Sequence, residues 1–169
     1  MLRLFVFSLL VSFHLQLRDA VPSSADSFII RLIDPVDQEA FTRCFPVARE
    51  LRTHFADEEA FVHAAIMAQG RGANYVYLEH QGEIRAFTGF RICQNLVWGT
   101  HMYVDDLVTR AQDHGHGYGS ALFDWLVEEA RRRGCAHFQL DSGVQRFDAH
   151  RFYLHKGMNI TSHHFALPL

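Results

Sequence analysis

The sequence predicts an α/β chain of the α+β type, with strands and helices sharing one domain, on three observations. Extended residues 100–109, rich in β-branched and aromatic side chains, run into the alternating glycines Gly115, Gly117 and Gly119, which open an apolar-faced helix. Two strand-like runs meet at Gln81 and Gly82, as a hairpin does. Beyond the helix a further strand, 136–141, is followed by a short helix, 147–156.

Taken in order, residues 28–33 read as the first strand and residues 35–50 and 57–69 as two helices. The hairpin follows at 74–79 and 83–92, then the strand 100–109 with Asp105 and Asp106 near its end. In the next helix Ala121, Leu122, Trp125, Leu126 and Ala130 recur at three- and four-residue steps, which keeps one face apolar. Arg131, Arg132 and Arg133 and then Gly134 close it, cations suiting the negative end of the dipole and glycine the left-handed cap. The short helix carries Asp148 in its first turn and Gly157 as its stop, and residues 158–167 read as a last strand.

Bulk composition narrows the class. A chain of 169 residues with 49% hydrophobic and 13% aromatic content suits one core, and a net charge of -3 without a basic block argues against nucleic acid as a partner. Cys44, Cys93 and Cys135 lack Cys-x-x-Cys spacing and read as reduced, buried small residues of a cytoplasmic protein. Twelve histidines include the pairs His114/His116 and His163/His164, neither with the helical spacing and acidic partner of a metal site, so no metal is expected. Residues 1–25 form an apolar N-terminal extension, signal-like in residues 4–13 but too short there for a membrane span of about 20 residues, so no stable membrane association is expected. That segment leaves export as the alternative to the cytoplasm, or marks a mis-called start with initiation near Val21; residues 26–169 are the domain.

His114, Gly115, His116, Gly117, Tyr118, Gly119 and Ser120 expose a row of backbone N–H groups at a helix start, where an anion such as pyrophosphate docks. With the spacings His114-x-x-Gly117-x-Gly119 and Ala149-x-x-x-Tyr153-x-x-x-Gly157-Met158, this order of elements resembles the GNAT superfamily of acyl-CoA N-acyltransferases over residues 28–167. The resemblance implies a central, mostly antiparallel mixed sheet of six to seven strands flanked by about four helices. It implies an N-acetyltransferase with acetyl-CoA as co-substrate and a small-molecule amine as acceptor, joined by direct attack in a ternary complex. A homodimer is an expectation carried by the resemblance alone.

By the same resemblance Tyr153 is the general acid for the departing thiolate, and residues 107–109 (Leu107, Val108, Thr109) splay from the neighbouring strand to pair with the pantetheine arm. A backbone N–H there would polarise the thioester carbonyl. His114 stands where the family usually has Arg or Gln; its unperturbed pKa of about 6.5 would strengthen cofactor binding on acidification. Arg146 stands where many relatives have a cofactor-contacting asparagine, and no role is carried onto it. Asp105 sits where related polyamine acetyltransferases carry a substrate-facing acid.

An acceptor amine arrives protonated, so a base is needed. Asp105 is the choice, with His101 in reserve on the same strand face; alternation is expected to send Asp105 and Asp106 to opposite faces. The acidic pair leans toward a small cationic amine, while Arg52 and His54, between the first two helices, read either as binders of a substrate carboxylate or phosphate or as a solvated connection. Two other functions compete. A non-catalytic acyl-CoA-binding sensor would bind without releasing thiol. A dinucleotide-binding oxidoreductase would use Asp141 as its ribose-binding acid, against which stands Ser120 in the third glycine position.

Overall fold

The computed structural model describes residues 27–169; the extension 1–25, with its signal-like reading and the start near Val21, lies outside the described residues. The elements are β1 (Ile29–Leu32), α1 (Gln38–Leu51), α2 (Glu58–Gln69), β2 (Ala73–His80), β3 (Glu83–Asn95), β4 (Gly99–Thr109), a single 3-10 turn (Ala111–Asp113), α3 (Tyr118–Arg132), β5 (His137–Leu140) and α4 (Phe147–His155). The first two helices start where an aspartate can cap them. Asp37 accepts from the Ala40 N–H and Asp57 from the Ala60 N–H, each at 2.9 Å. A turn in which the Val36 N–H donates to the Asp34 side chain precedes the first, so α1 begins three residues later than its sequence suggests. Gln81 and Gly82 take φ of 54° and 77°, the two left-handed residues of a tight hairpin turn between β2 and β3.

The sheet has the order β1-β2-β3-β4-β5, antiparallel from β1 to β4 and parallel between β4 and β5. Among the described residues it has five strands, not six to seven. The expected last strand, 158–167, does not form. The Met158 N–H turns back to the Tyr153 carbonyl (3.0 Å) to finish α4, and Ile160 (74% exposed) and Phe165 (90% exposed) find no face to bury against. A strand owes its stability to cross-strand neighbours and burial more than to backbone preference, and the polar run Thr161 to His164 supplies neither.

Two apolar layers cover the sheet. On one face α1 and α2 pack Phe41, Cys44, Val47, Phe61 and Ala65 against Tyr77, Phe87 and Val108. On the other, α3 packs Leu122, Leu126 and Ala130 against Leu78, Phe90, Met102 and Val104. Burial pushes the Cys44 thiol up to about 12, and Cys93 and Cys135 are half-buried and unbridged. The short α4 joins the second layer through Phe152, whose ring lies 5.6 Å from that of Phe123. Among the described residues no helix is long and apolar enough to cross a membrane.

One irregularity positions the site. Gly89 pairs with Asp106 while Phe90 pairs with Val104, so Asp105 is an extra residue, a β-bulge. Alternation fails there, and both carboxylates lie on the α1/α2 face rather than on opposite faces. A Cβ placed on Gly89 would stand 3.0 Å from Asp106 Oδ2, and the Asp105 carboxylate meets Arg91, whose strand partner is Tyr103. The carbonyls of the bulge are not left bare. Arg52 Nη2 donates to the Asp105 carbonyl (2.8 Å) and the buried Thr88 hydroxyl to that of Asp106 (2.6 Å).

Candidate active site

The pairing of β4 with β5 stops at Val104 and Leu140; from Asp106 to Thr109, β3 is the one strand that pairs with β4 among the described residues. The edge that β5 leaves opens as a wedge, and two clefts meet in it. The larger, about 760 Å³, runs from Leu107, Val108 and Thr109 past the glycine loop to α4. The smaller, about 150 Å³, lies between Arg52, Asp105, Asp141 and the β5–α4 connection. Leu107, Arg146 and Tyr153 belong to the walls of both.

Of the residues expected to hold a cofactor, Leu107, Val108, Thr109, His114, Gly115, Gly117, Tyr118, Gly119 and Ser120 line the larger cleft. His116 does not. Its Nδ1 turns to the Asp113 carbonyl (3.2 Å) and its ring stacks 6.2 Å from that of Tyr118. Gly115 and Gly117 have φ of 84° and 85°, and a Cβ on either would meet nothing within 4 Å. Gly119 is needed for a different reason: a Cβ there would stand 2.8 Å from Thr109 Oγ1, so its absence lets α3 close on β4. Helix α3 starts with no side-chain cap and no acid in its first turn, which leaves its leading N–H groups and the positive end of its dipole to an anion. An open strand edge, a glycine cradle and an uncapped helix start suit an extended amide arm ending in a pyrophosphate, as in acetyl-CoA.

His114 faces back toward the strand. Its Nε2–H donates to the Thr109 carbonyl (3.0 Å), tying the loop to β4. A residue that sequence reading missed works beside it. Buried Asp113 accepts from Arg85 (3.2 Å) and Arg110 (2.5 Å), and Glu83 bridges the same two arginines at 3.0 and 2.9 Å. This four-charge cluster fastens the loop to β3. The sequence carries no local sign of it, because its members are 28 residues apart on the chain at the Arg85–Asp113 bond.

Tyr153 sits on α4 with its ring 5.4 Å from that of Phe152. Burial pushes its phenol above the ordinary tyrosine range, and the Arg146 guanidinium opposes that shift. Asp105 lines the smaller cleft with both carboxylate oxygens on Arg91 (2.8 and 2.5 Å). Asp106 bonds Arg52 Nε at 2.5 Å; burial holds its carboxyl above the usual range, and Arg52 counters the rise. Burial and then the charges of Asp106 and Asp105 push the nearby Tyr75 phenol up to about 12.

Arg52 lines the smaller cleft, as expected of a substrate-side residue, but His54 is exposed against Phe55 and in neither wall. His101, the reserve base, is buried near the start of β4, its Nδ1 on the Gly99 carbonyl (3.0 Å), and lines neither cleft. Asp141, the acid that the dinucleotide alternative would use, lines the smaller cleft rather than the one that holds the glycine loop, accepting from the Tyr103 hydroxyl (2.5 Å) and lying 2.9 Å from His164 Nδ1. Ala149, the first residue of the spacing that ends at Met158, lines the larger cleft with Gln145, Phe147, Arg151 and Phe152, which no motif marked.

A wedge in the sheet, a glycine cradle at a helix start and a phenol where two clefts join are the parts of an acyltransferase. The model of the acetyltransferase (GNAT) family matches residues 38–158, and the chain belongs to that family. It is similar to the uncharacterized N-acetyltransferase YhdJ of Bacillus subtilis, 32% identical over 142 residues that cover 83% of this chain and 100% of that one. A shorter stretch of 66 residues, 39% of this chain and 43% of the other, is 36% identical to an aminoalkylphosphonate N-acetyltransferase of Salmonella typhimurium. Among solved structures, a ribosomal-protein-alanine N-acetyltransferase from Brucella melitensis superposes with a TM-score of 0.72 at 17% identity, covering 85% of this chain and 99% of that one, which is a likeness of fold. The protein is thus an N-acetyltransferase of the GNAT family.

Proposed function

We propose that the protein transfers an acetyl group from acetyl-CoA to a primary amine, cationic as it arrives, of a small molecule, by direct attack within a ternary complex. The observation that carries this reading is the meeting of the two clefts at Leu107, Arg146 and Tyr153, one sized and lined for a long carrier, the other for a small acceptor. When bound, acetyl-CoA supplies an activated thioester carbonyl. The loop and helix start, Gly115 to Ser120, hold its pyrophosphate, and the open edge of Leu107, Val108 and Thr109 pairs with its arm. A backbone N–H of that edge faces the carbonyl oxygen as it gains charge.

Asp105 takes the amine's proton, directly or through water, since a carboxylate has lone pairs beyond those engaged by Arg91. Tyr153 donates its phenolic proton, or a hydrogen bond, to the departing sulfur. The reading places the enzyme in the cytoplasm, where its donor is made. It is tested by calorimetric titration with acetyl-CoA beside NAD and NADP, followed by thiol release against a panel of amines. Acetyl-CoA binding with amine-dependent thiol release is expected; binding without release, or preference for a nicotinamide dinucleotide, overturns it.

A further inference from the structure

The charges around the smaller cleft are almost all spoken for. Asp105 is engaged by Arg91, and Asp106 by Arg52, so the acidic pair with its partners adds no net charge. Asp141 is held by Tyr103 and His164. Arg52 spends Nε on Asp106 and Nη2 on the Asp105 carbonyl, and among the described residues its Nη1 has no partner.

Arg146 differs from all of these. Its backbone N–H bonds the Gly143 carbonyl (2.9 Å), but among the described residues its guanidinium has neither a hydrogen bond nor an ion pair. The acid nearest to it along α4, Asp148, is paired with Arg151. This uncommitted cation stands in the wall of the acceptor cleft and at its junction with the larger one. It shares the larger cleft with the glycine cradle that answers the carrier's pyrophosphate, so the test below separates the two uses. A planar, permanently charged fork of donors in such a place suits a carboxylate or phosphonate.

We infer that the acceptor is a zwitterion, a small amine that also bears an anionic group, and that Arg146 binds that group while the ammonium lies toward Asp105 and Asp141. The inference rests on the smaller cleft being the acceptor site. Arg52 lines the same cleft, and its Nη1, without a partner among the described residues, offers a second donor.

The test compares kcat/KM for four amines: β-alanine and aminoethylphosphonate, which carry an anion, propylamine, which lacks one, and putrescine, which carries a second cation. A charge-assisted contact of this kind predicts a preference of roughly ten- to a hundredfold for the anion-bearing amines over propylamine. In Arg146→Gln the ratio falls to within about threefold of unity, whatever happens to the absolute rates. Equal or better use of propylamine or putrescine by the wild type overturns the inference and leaves acetyl transfer standing. A ratio that survives in Arg146→Gln, with only the KM for acetyl-CoA raised, assigns Arg146 to the carrier and also overturns it. Thiol release from none of the amines by a protein that binds acetyl-CoA defeats the acceptor-site reading itself.

Discussion

Tyr153→Phe removes one oxygen and keeps the ring, so its contacts with Phe152 (5.4 Å between centroids) and Phe123 (6.5 Å) survive and folding should be unaffected. What is lost is a proton donor at the point where the two clefts join. Burial raises the phenol above its ordinary value of about 10, so at neutral pH fewer than about one molecule in a thousand has lost the proton. The acid form is therefore present throughout the working range. A coenzyme thiol near pKa 8.5 is more acidic than this phenol, so complete transfer runs uphill and the phenol acts mainly as a strong hydrogen-bond donor. That places the loss toward the lower end of the general-acid range, about a hundredfold in kcat, or roughly 2.7 kcal/mol. The assay is continuous thiol release at saturating acetyl-CoA and amine between pH 7 and about 9.5. The wild type should show no alkaline decline in that window, because the acid titrates above it, and Tyr153→Phe should leave acetyl-CoA affinity within about twofold. A variant turnover within about threefold of wild type would refute the assignment of the acid.

Three further substitutions test the scaffold. Gly117→Val puts a β-branched residue at φ 85° and points its side chain into the cradle, so acetyl-CoA affinity should fall at least about tenfold on titration, with a stability cost of roughly 1–2 kcal/mol; unchanged affinity would defeat the nest. Gly89→Ala brings a methyl to 2.7 Å from Tyr75 Cε1 and 3.0 Å from Asp106 Oδ2, and urea unfolding should show about 1–3 kcal/mol lost; a loss below about 0.5 kcal/mol would mean that the bulge yields easily. Arg132 first, and also Arg133, hold the nearly buried Glu129 carboxyl below the usual range. Its folded value is depressed, so its contribution is present above about pH 4.3 and is lost as pH falls through the folded value. The stability advantage of wild type over Glu129→Gln should shrink between about pH 5 and 3, and a gap that stays constant would rule out the linkage.

What the sequence made legible was local. The alternation of Gly115, Gly117 and Gly119 before an apolar-faced helix is written into neighbouring residues, and so are the turn at Gln81 and Gly82 and the stop at Gly157. Tyr153, Asp105 and Arg52 came from pattern and position, and the fold brings all three to the smaller cleft. What was hidden depends on distant partners. His116 and His54 resemble site residues along the chain, but their rings found Tyr118 and Phe55 instead. The run 158–167 has strand-like residues and no strand to join, and no spacing rule pairs Arg85 with Asp113 or leaves Arg146 unpaired.

The bulge at Asp105 accounts for two features of the site at once. An added residue increases local twist and bends the strand, and β4 leaves β5 at Val104, immediately before it. The same insertion shifts the phase of alternation, bringing Asp106 beside Asp105 and drawing Arg52 from the end of α1 across both. The opened edge of β4 and the charged wall of the smaller cleft thus share one cause, and the donors from Thr88 and Arg52 that satisfy its carbonyls keep it in place. Because the insertion already neutralises its own carboxylates with Arg91 and Arg52, the inferred selectivity between amines falls to the charges left unpaired among the described residues around it, of which Arg146 is the clearest.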